Sequence, residues 1–261
     1  MVTSRFCVEA AVGVGMFYTL LSVILTPLYW LTWGLLLVFF HAAQGLALHI
    51  RGEEARRKTA SWLNWALLRC LLLLGIRVTL KVKEWPPEGK PLIVVSNHQN
   101  QIDISGISWV LRRYVPVFVS KRELGRGLPS ISYNLRHSGA ALIDRDDPRQ
   151  SLREIGRLGK LIQQESWAAV IFPEGTRAKD GVMKPFAAAG IKVLLKNAPD
   201  AWVVPVAIDG AWRMGSVKNF PLVLGHRITW TVLPAISREG RSAEDLVAAA
   251  ETAIREHLGQ V

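Results

Sequence analysis

The chain has 261 residues, half of them hydrophobic, and it carries a formal net charge of +11 at pH 7. A chain of this length can form one large domain, with or without a small appendage. Such a basic surface suits nucleic acid, anionic lipid or a phosphorylated substrate. The sequence has no zinc-finger, RNP-like or basic-zipper pattern, so we expect no nucleic-acid partner.

The N-terminal region is strongly apolar. Residues 10–50 contain no Asp, Glu, Lys or Arg, and this stretch is about twice the ~20 residues that a helix needs to cross a bilayer core. It is too long for the apolar core of a cleaved signal peptide, which runs ~7–15 residues. Pro27 disfavours a continuous helix. The pattern therefore predicts two helices, over 10–26 and 28–50.

A cluster of Lys and Arg between residues 51 and 58 follows the second apolar segment directly. Positive charge marks the cytoplasmic side of a membrane protein, so we predict a membrane protein at the cytoplasmic face. Residues 1–52 form the predicted membrane helices and residues 53–261 the second domain. The pattern leaves open whether the two helices cross the bilayer as a hairpin or lie in one leaflet.

Strands and helices alternate after a predicted helix over 53–75. Strands are predicted over 78–82, 92–95, 115–119, 140–143, 168–172, 203–208 and 227–233. Helices are predicted over 104–111 and 191–196. Two more are predicted to begin at the capping boxes Ser151-x-x-Glu154 and Ser242-x-x-Asp245, and the second of them ends at Leu258. This alternation indicates an α/β sheet with helices on both faces.

A candidate catalytic base follows the second predicted strand. His98 is followed five positions later by Asp103. Histidine is the usual general base near neutral pH, and a carboxylate at its other ring nitrogen fixes the tautomer and stabilises the imidazolium. The alternative is that His98 caps a turn and Asp103 caps the next helix. The position at a strand end favours function, because ligands bind beyond the carboxyl ends of strands in α/β sheets.

A candidate anion site follows the strand at 168–172. The chain reads Phe172-Pro-Glu-Gly-Thr-Arg177. Gly175 permits a tight turn or a close backbone approach, and Arg177 can bind a phosphate bidentately. The alternative is a structural turn held by an internal pair between Glu174 and Arg177.

In this order and spacing the two motifs resemble the lysophosphatidate acyltransferase family, over roughly residues 75 to 235. The resemblance implies a glycerolipid acyltransferase-like mixed β-sheet flanked by helices. It implies an enzyme of phospholipid biosynthesis that moves a fatty acyl chain from a thioester donor, acyl-CoA or acyl-carrier protein, to the sn-2 hydroxyl of 1-acylglycerol-3-phosphate. The product is phosphatidate, and we expect the chain at the bacterial inner membrane.

The resemblance also assigns roles to individual residues. His98 is the base and Asp103 its orienter. In the family the Glu-Gly-Thr-Arg positions bind glycerol phosphate, and two cations in further matching blocks are phosphate candidates whose alternative is plain solvated surface. The implied substrate-binding residues are Glu174, Gly175, Thr176, Arg177, Lys121 and Arg145.

Acyl transfer by this family needs no metal or cofactor, and the sequence has no metal-ligand spacing. A G-x-S-x-G elbow and a cysteine near His98 are both absent from the sequence, which favours direct attack by the acceptor hydroxyl. The chain has Ala187-Ala-Ala189 where the family often has lysines. The same chemistry on another acceptor, such as a lyso-ornithine lipid, therefore stays open, as does a non-catalytic lipid-binding membrane protein. The His98–Asp103 pair argues against the latter, because a binding protein needs no base.

Overall fold

The protein is described by a computed structural model that covers residues 2–215 and 220–261, with the side chains described from residue 17 onward. A seven-stranded mixed sheet lies at its centre, in the order β1-β7-β6-β2-β5-β3-β4. The strands are β1 (Arg77–Val82), β2 (Leu92–Ser96), β3 (Pro116–Lys121), β4 (Ala141–Ile143), β5 (Ala168–Ile171), β6 (Trp202–Asp209) and β7 (Arg227–Val232). Strand β7 runs antiparallel to β6 and parallel to β1, and the neighbouring pairs from β6 to β4 are parallel. The predicted mixed sheet is confirmed.

Helices cover both faces of this sheet. They are α1 (Val2–Cys70), α2 (Asp103–Val110), α3 (Ile131–His137), α4 (Pro148–Glu165), α5 (Ala188–Asn197) and α6 (Ala243–Leu258). Alternate side chains of the fully buried strand β2 pack on opposite faces of the sheet, and each face has its own core cluster. Val94 packs in a cluster with α1 and α2, whereas Ile93 and Val95 pack in a second cluster with α4, α5 and α6.

The N-terminal region is where the prediction and the structure differ most. The predicted break at Pro27 is wrong, since α1 continues as helix through this residue. The helical geometry is interrupted instead at Gly52, where φ is 76° and ψ is −167°. A proline removes one backbone N–H from a helix, whereas a left-handed φ at glycine changes the direction of the chain at no steric cost. Gly52 thus divides α1 into a first limb, residues 2–51, and a second limb, residues 53–70.

The first limb packs on the rest of the protein along one side. Tyr29 and Leu37 are buried in the same core cluster as β2 and α2. The backbone N–H of Leu222 donates to Thr26 Oγ1 at 2.9 Å, and its carbonyl accepts from the Ser22 hydroxyl. The opposite side of the limb carries a row of exposed apolar side chains, namely Phe17, Leu20, Ile24, Leu28, Leu31, Leu35, Val38, Phe39, Leu46 and Ile50.

Among the described residues, Phe17–Leu74 is the one helical stretch whose length and composition would allow it to cross a membrane. Only 17% of its most apolar window is buried in the protein. The exposed apolar row therefore needs an apolar environment outside the chain. The division into residues 1–52 and 53–261 stays a prediction.

Two local predictions had opposite outcomes. The capping box at Ser242 is confirmed, with reciprocal bonds between Ser242 and Asp245 at the start of α6. The capping box at Ser151 is wrong. Helix α4 begins earlier, at Pro148, and its N-cap is Asp147, which accepts from the Gln150 N–H at 2.9 Å. Proline is favoured at the first position of a helix. Pro148 lies three residues before Ser151, so it marks the start of the helix earlier than the capping box does.

Candidate active site

His98 and Asp103 meet beyond the carboxyl end of β2. Asp103 is the first residue of α2, and its Oδ2 lies 2.9 Å from His98 Nδ1. The same oxygen accepts the backbone N–H groups of Gln99 at 2.6 Å and Asn100 at 2.8 Å. The Asp103 side chain is fully buried, while 15% of the His98 side chain stays exposed. The backbone N–H groups of the loop thus fix the Asp103 carboxylate, and this carboxylate in turn orients the His98 ring.

The imidazole is held on a second side by an aromatic ring. His98 stacks on Phe172 with the ring centroids 4.2 Å apart and the planes 20° from parallel. With Nδ1 on Asp103, the remaining ring nitrogen is Nε2, which makes no hydrogen bond to the described residues. A neutral histidine in this tautomer presents an unprotonated nitrogen that can accept a proton.

Amide side chains next to His98 tie the loop to β6 and the turn after it. Asn97 makes two bonds with the backbone of Ile208, each 2.8 Å long. Gln99 Oε1 accepts the N–H of Ala211 at 3.0 Å, and Asn100 Nδ2 donates to a carbonyl of the same segment at 2.6 Å. Sequence reasoning missed these supports. The signal was present, as a run of Asn and Gln directly after a fully apolar strand.

Glu174 connects the second motif to the first. The His98 backbone N–H donates to Glu174 Oε1 at 2.8 Å, and the Lys184 backbone N–H donates to Oε2 at 2.9 Å. The Ala178 N–H donates to the His98 carbonyl at 2.8 Å. Glu174 is buried, and burial raises the pKa of its carboxyl group against the opposing effect of the two backbone donors. The internal pair between Glu174 and Arg177, which was the alternative interpretation of this motif, is not formed among the described residues.

The turn after Glu174 faces outward. Gly175 has φ of 71°, and no atom would obstruct a side chain there, so the backbone angle is the reason for glycine. Thr176 is exposed, and its hydroxyl accepts from Lys184 Nζ at 2.6 Å. Arg177 is exposed and lines the wall of a cavity. This arrangement leaves the Arg177 guanidinium accessible to a ligand.

Lys121 and Arg145 lie further along the same edge of the sheet. Lys121 ends β3, which pairs in parallel with β4, and Arg145 follows β4 by two residues. Both are exposed. Within the described part of the chain, neither makes an ion pair or a hydrogen bond to His98. The structure therefore places them near the carboxyl ends of neighbouring strands, without a direct bond to His98.

A cavity of about 450 Å³ opens beside this cluster. Its walls come from both limbs of α1 and from α2, β3 and α3. Apolar groups such as Trp33, Leu63, Ile104 and Phe118 provide much of the lining, and Gln101 and Arg177 lie where the cavity meets the His98 loop. A cavity of this size and character can hold a hydrocarbon chain.

The described residues contain no cluster of three or more His, Cys, Asp or Glu that could hold a metal ion. What the site offers is an oriented histidine, an accessible arginine and an apolar cavity. These parts suit proton transfer from a hydroxyl group on a molecule that carries both a negative charge and an apolar chain.

Comparison with known proteins agrees with this geometry. The acyltransferase family model matches residues 77–209, about half of the chain. The alpha form of 1-acyl-sn-glycerol-3-phosphate acyltransferase from Mus musculus is 30% identical over 196 residues, covering 72% of this chain and 67% of the mouse protein. The human alpha form is 30% identical over 200 residues, covering 72% and 66%. The chain spans about two thirds of the length of these relatives.

A solved structure has the same fold. The crystal structure of the 1-acyl-sn-glycerophosphate acyltransferase PlsC from Thermotoga maritima matches with a TM-score of 0.76, covering 92% of this chain and 95% of that one, at 22% identity. The family match spans the sheet from β1 to β6 and includes both the His98 and the Glu174 motifs. This chain belongs to the acyltransferase family.

Proposed function

We propose that this protein is a 1-acylglycerol-3-phosphate O-acyltransferase, which moves a fatty acyl chain from a thioester donor to the sn-2 hydroxyl of lysophosphatidate. The observation that carries the proposal is the 2.9 Å contact between His98 Nδ1 and Asp103 Oδ2 beside a cavity lined by Arg177. The names of the mouse and human relatives support this acceptor. A protein that only binds lipid would have no use for an oriented base.

The reaction needs one proton to move twice. His98 Nε2 takes the proton of the acceptor hydroxyl as its oxygen attacks the thioester carbonyl carbon. The tetrahedral intermediate then expels the thiolate, which takes the proton back from His98, so the products are an ester and a free thiol. Asp103 keeps the Nδ1 proton in place and stabilises the imidazolium between the two transfers. The protein forms no covalent bond with the acyl group in this scheme.

Arg177 is the proposed partner of the acceptor phosphate. Its side chain is exposed and lies at the cavity wall next to the His98 loop. Arginine can bind a phosphate through two parallel hydrogen bonds. Lys121 and Arg145 are exposed at the same edge of the sheet, and we propose that they attract the phosphates of the acceptor or of the donor. The donor is acyl-CoA or acyl-carrier protein, and no resident cofactor or metal is required.

The exposed apolar row of α1 supports a place at the membrane. Lysophosphatidate and phosphatidate are both membrane lipids, so a site that receives one and releases the other belongs at a leaflet. The row lies on the limb of α1 that also contributes Trp30 and Trp33 to the cavity. We propose that the cavity faces the cytoplasmic leaflet of a bacterial inner membrane.

The test is a substrate panel. Purified full-length protein is incubated with lysophosphatidate, lysophosphatidylcholine, lysophosphatidylethanolamine and lyso-ornithine lipid, each with palmitoyl-CoA and palmitoyl-carrier protein, and the products are identified by mass. We expect the highest kcat/KM with lysophosphatidate and a rate lower by about 10²–10⁴ in the His98→Ala protein. A folded wild-type protein that acylates none of these acceptors would refute the proposal, and a higher kcat/KM with another acceptor would reassign the substrate.

A further inference from the structure

Two serines of α2 lie in the cavity wall without a partner. Ser105 is 5% exposed and Ser108 is 8% exposed. Both line the cavity, and neither side chain makes a hydrogen bond to any described residue. Three positions apart on a helix, they lie on the same face. The cavity wall thus contains two neighbouring serines whose hydroxyl groups have no partner among the described residues.

Other helical hydroxyls in this protein behave differently. Thr32, Thr59 and Ser61 each donate to the carbonyl four residues earlier, at 2.8 to 3.1 Å. This is the usual way for a hydroxyl in a helix to satisfy its proton. Ser105 and Ser108 do not make this bond, so their hydroxyl groups are available to a ligand in the cavity.

A second, neighbouring helix adds polar groups to the cavity wall, since Trp62 and Trp65 of α1 pack on Trp109 of α2. The second limb of α1 contributes Ser61 and Asn64, which are also three positions apart. Asn64 Nδ2 donates to the Ala60 carbonyl at 2.9 Å, which leaves its carbonyl oxygen free of described partners. Two helices therefore present polar groups toward one space whose other walls are largely apolar.

The position of Ser105 and Ser108 relative to His98 is determined by α2. Asp103 begins the helix and holds His98. A helix rises about 1.5 Å per residue, so Ser105 and Ser108 lie about 3 Å and about 7.5 Å further along the axis. A chain that enters the cavity from the catalytic end meets these hydroxyls within its first several carbon atoms.

We propose that Ser105, Ser108 and Asn64 form a subsite for a hydroxyl group carried near the carboxyl end of an acyl chain, as in a 3-hydroxyacyl group. The inference deepens the proposed function, since it rests on that function for placing an acyl chain in the cavity. A chain hydroxyl can both donate and accept, so it can pair with a serine and with the Asn64 oxygen together. An unsubstituted chain leaves these groups without a partner.

Binding measurements test the subsite without requiring turnover. The full-length protein in phosphatidylcholine nanodiscs is titrated with palmitate, 3-hydroxypalmitate and 16-hydroxypalmitate, in wild type and in the Ser105→Ala/Ser108→Ala variant. Alanine favours helix, so the variant should fold. Comparing the variant with wild type cancels the different partitioning of the acids into the bilayer.

One neutral hydrogen bond changes affinity by about 2- to 12-fold. We expect the double substitution to weaken binding of 3-hydroxypalmitate by this factor relative to binding of palmitate. The Ile104→Val variant, at an apolar position of the same wall, should weaken both acids alike. If the ratio of the Kd for 3-hydroxypalmitate to the Kd for palmitate is the same in the double variant as in wild type, the proposal is overturned. If the double substitution weakens binding of 16-hydroxypalmitate equally, the position assigned to the hydroxyl group is overturned.

Turnover then identifies which substrate carries the hydroxyl. One arm pairs 3-hydroxypalmitoyl-CoA with 1-palmitoyl lysophosphatidate, and the other pairs palmitoyl-CoA with 1-(3-hydroxypalmitoyl) lysophosphatidate. A preference in either arm that disappears in Ser105→Ala/Ser108→Ala supports the subsite and assigns the chain, while a preference in neither arm counts against it. A protein that shows the binding preference but forms no product refutes the proposed function and leaves the subsite supported.

Discussion

The backbone N–H of His98 donates to Glu174 Oε1 at 2.8 Å, so the His98 and Glu174 motifs of the sequence form one hydrogen-bonded unit. The second oxygen of Glu174 accepts from the Lys184 N–H. Both carboxylate oxygens are thus committed to backbone donors that fix the loops around the base. The resemblance implied substrate binding for Glu174, whereas this geometry favours positioning of His98.

Glu174→Gln should therefore lower kcat and leave KM for both substrates little changed. Glutamine keeps the volume of the side chain but turns an NH2 group toward one of the backbone N–H donors. A hydrogen bond to a charged group contributes ~1.5–3 kcal/mol, so kcat should fall about 10- to 150-fold. Steady-state kinetics with each substrate varied in turn measures the split. If instead KM for lysophosphatidate rises while kcat is kept, Glu174 binds the acceptor directly.

The same residue should affect stability in a pH-dependent way. Burial raises the pKa of Glu174, so the folded protein keeps the proton to higher pH than the unfolded chain. Its contribution to stability is then present below the ordinary carboxyl range and is lost as pH rises through the raised pKa. The Tm of wild type relative to Glu174→Gln should fall as the pH rises above the ordinary Glu pKa of about 4.3. Thermal unfolding in detergent measures this, with the exposed Glu165→Gln as a control. A pH-independent difference would contradict it.

Removal of the base should abolish most of the activity. The loss of a general base costs ~10²–10⁴ in rate, and we expect this from His98→Ala. Asp103→Asn can keep the backbone bonds to Gln99 and Asn100 through its amide oxygen, but it no longer carries the charge that stabilises the imidazolium. It should fold and still be severely impaired. Circular dichroism establishes folding and product formation gives the rate. Near-normal turnover in folded His98→Ala would exclude the mechanism.

The sequence was sufficient to place His98 next to Asp103, because five residues span little more than one turn after a buried strand. It also placed Glu174 and Arg177 at the same edge, since the carboxyl ends of parallel strands meet there. It could not show which residue Glu174 bonds to. That contact joins residues 76 positions apart, and only the register of β2 and β5 decides it.

Local sequence patterns failed to predict the helix through Pro27 and the short helix α3, because contacts with distant residues stabilise them. Pro27 removes a helical hydrogen bond, but Leu222, far away in sequence, holds the neighbouring turn: its carbonyl accepts from the Ser22 hydroxyl and its N–H donates to Thr26 Oγ1. Helix α3 has seven residues, too few for the windows of 11–18 residues in which periodicity is recognisable. Both features depend on contacts that no local pattern contains.

Arg177 can be tested separately from the base. Lysine is not equivalent to arginine where two parallel hydrogen bonds are made to a phosphate. A charge-assisted bond contributes ~1.5–3 kcal/mol, so Arg177→Lys should lower kcat/KM for lysophosphatidate about 10- to 150-fold. The defect should be much smaller with monoacylglycerol, which lacks the phosphate. Equal defects with both acceptors would mean that Arg177 has a structural role or serves the donor.

The exposed row of α1 should hold the protein at the membrane. Leu31 and Leu35 are 61% and 60% exposed, whereas Leu37 on the same limb is buried. Removing the whole limb would also expose the core around Tyr29, so a surface change is the sharper test. Leu31→Glu/Leu35→Glu places two charges against the acyl region, each costing several kcal/mol in an apolar medium, and should move most of the protein to the soluble fraction.

Lys196→Glu, at an exposed position of α5, makes the same change in net charge and should leave the protein in the pellet. Equal pelleting of both variants in high salt would place the anchor elsewhere.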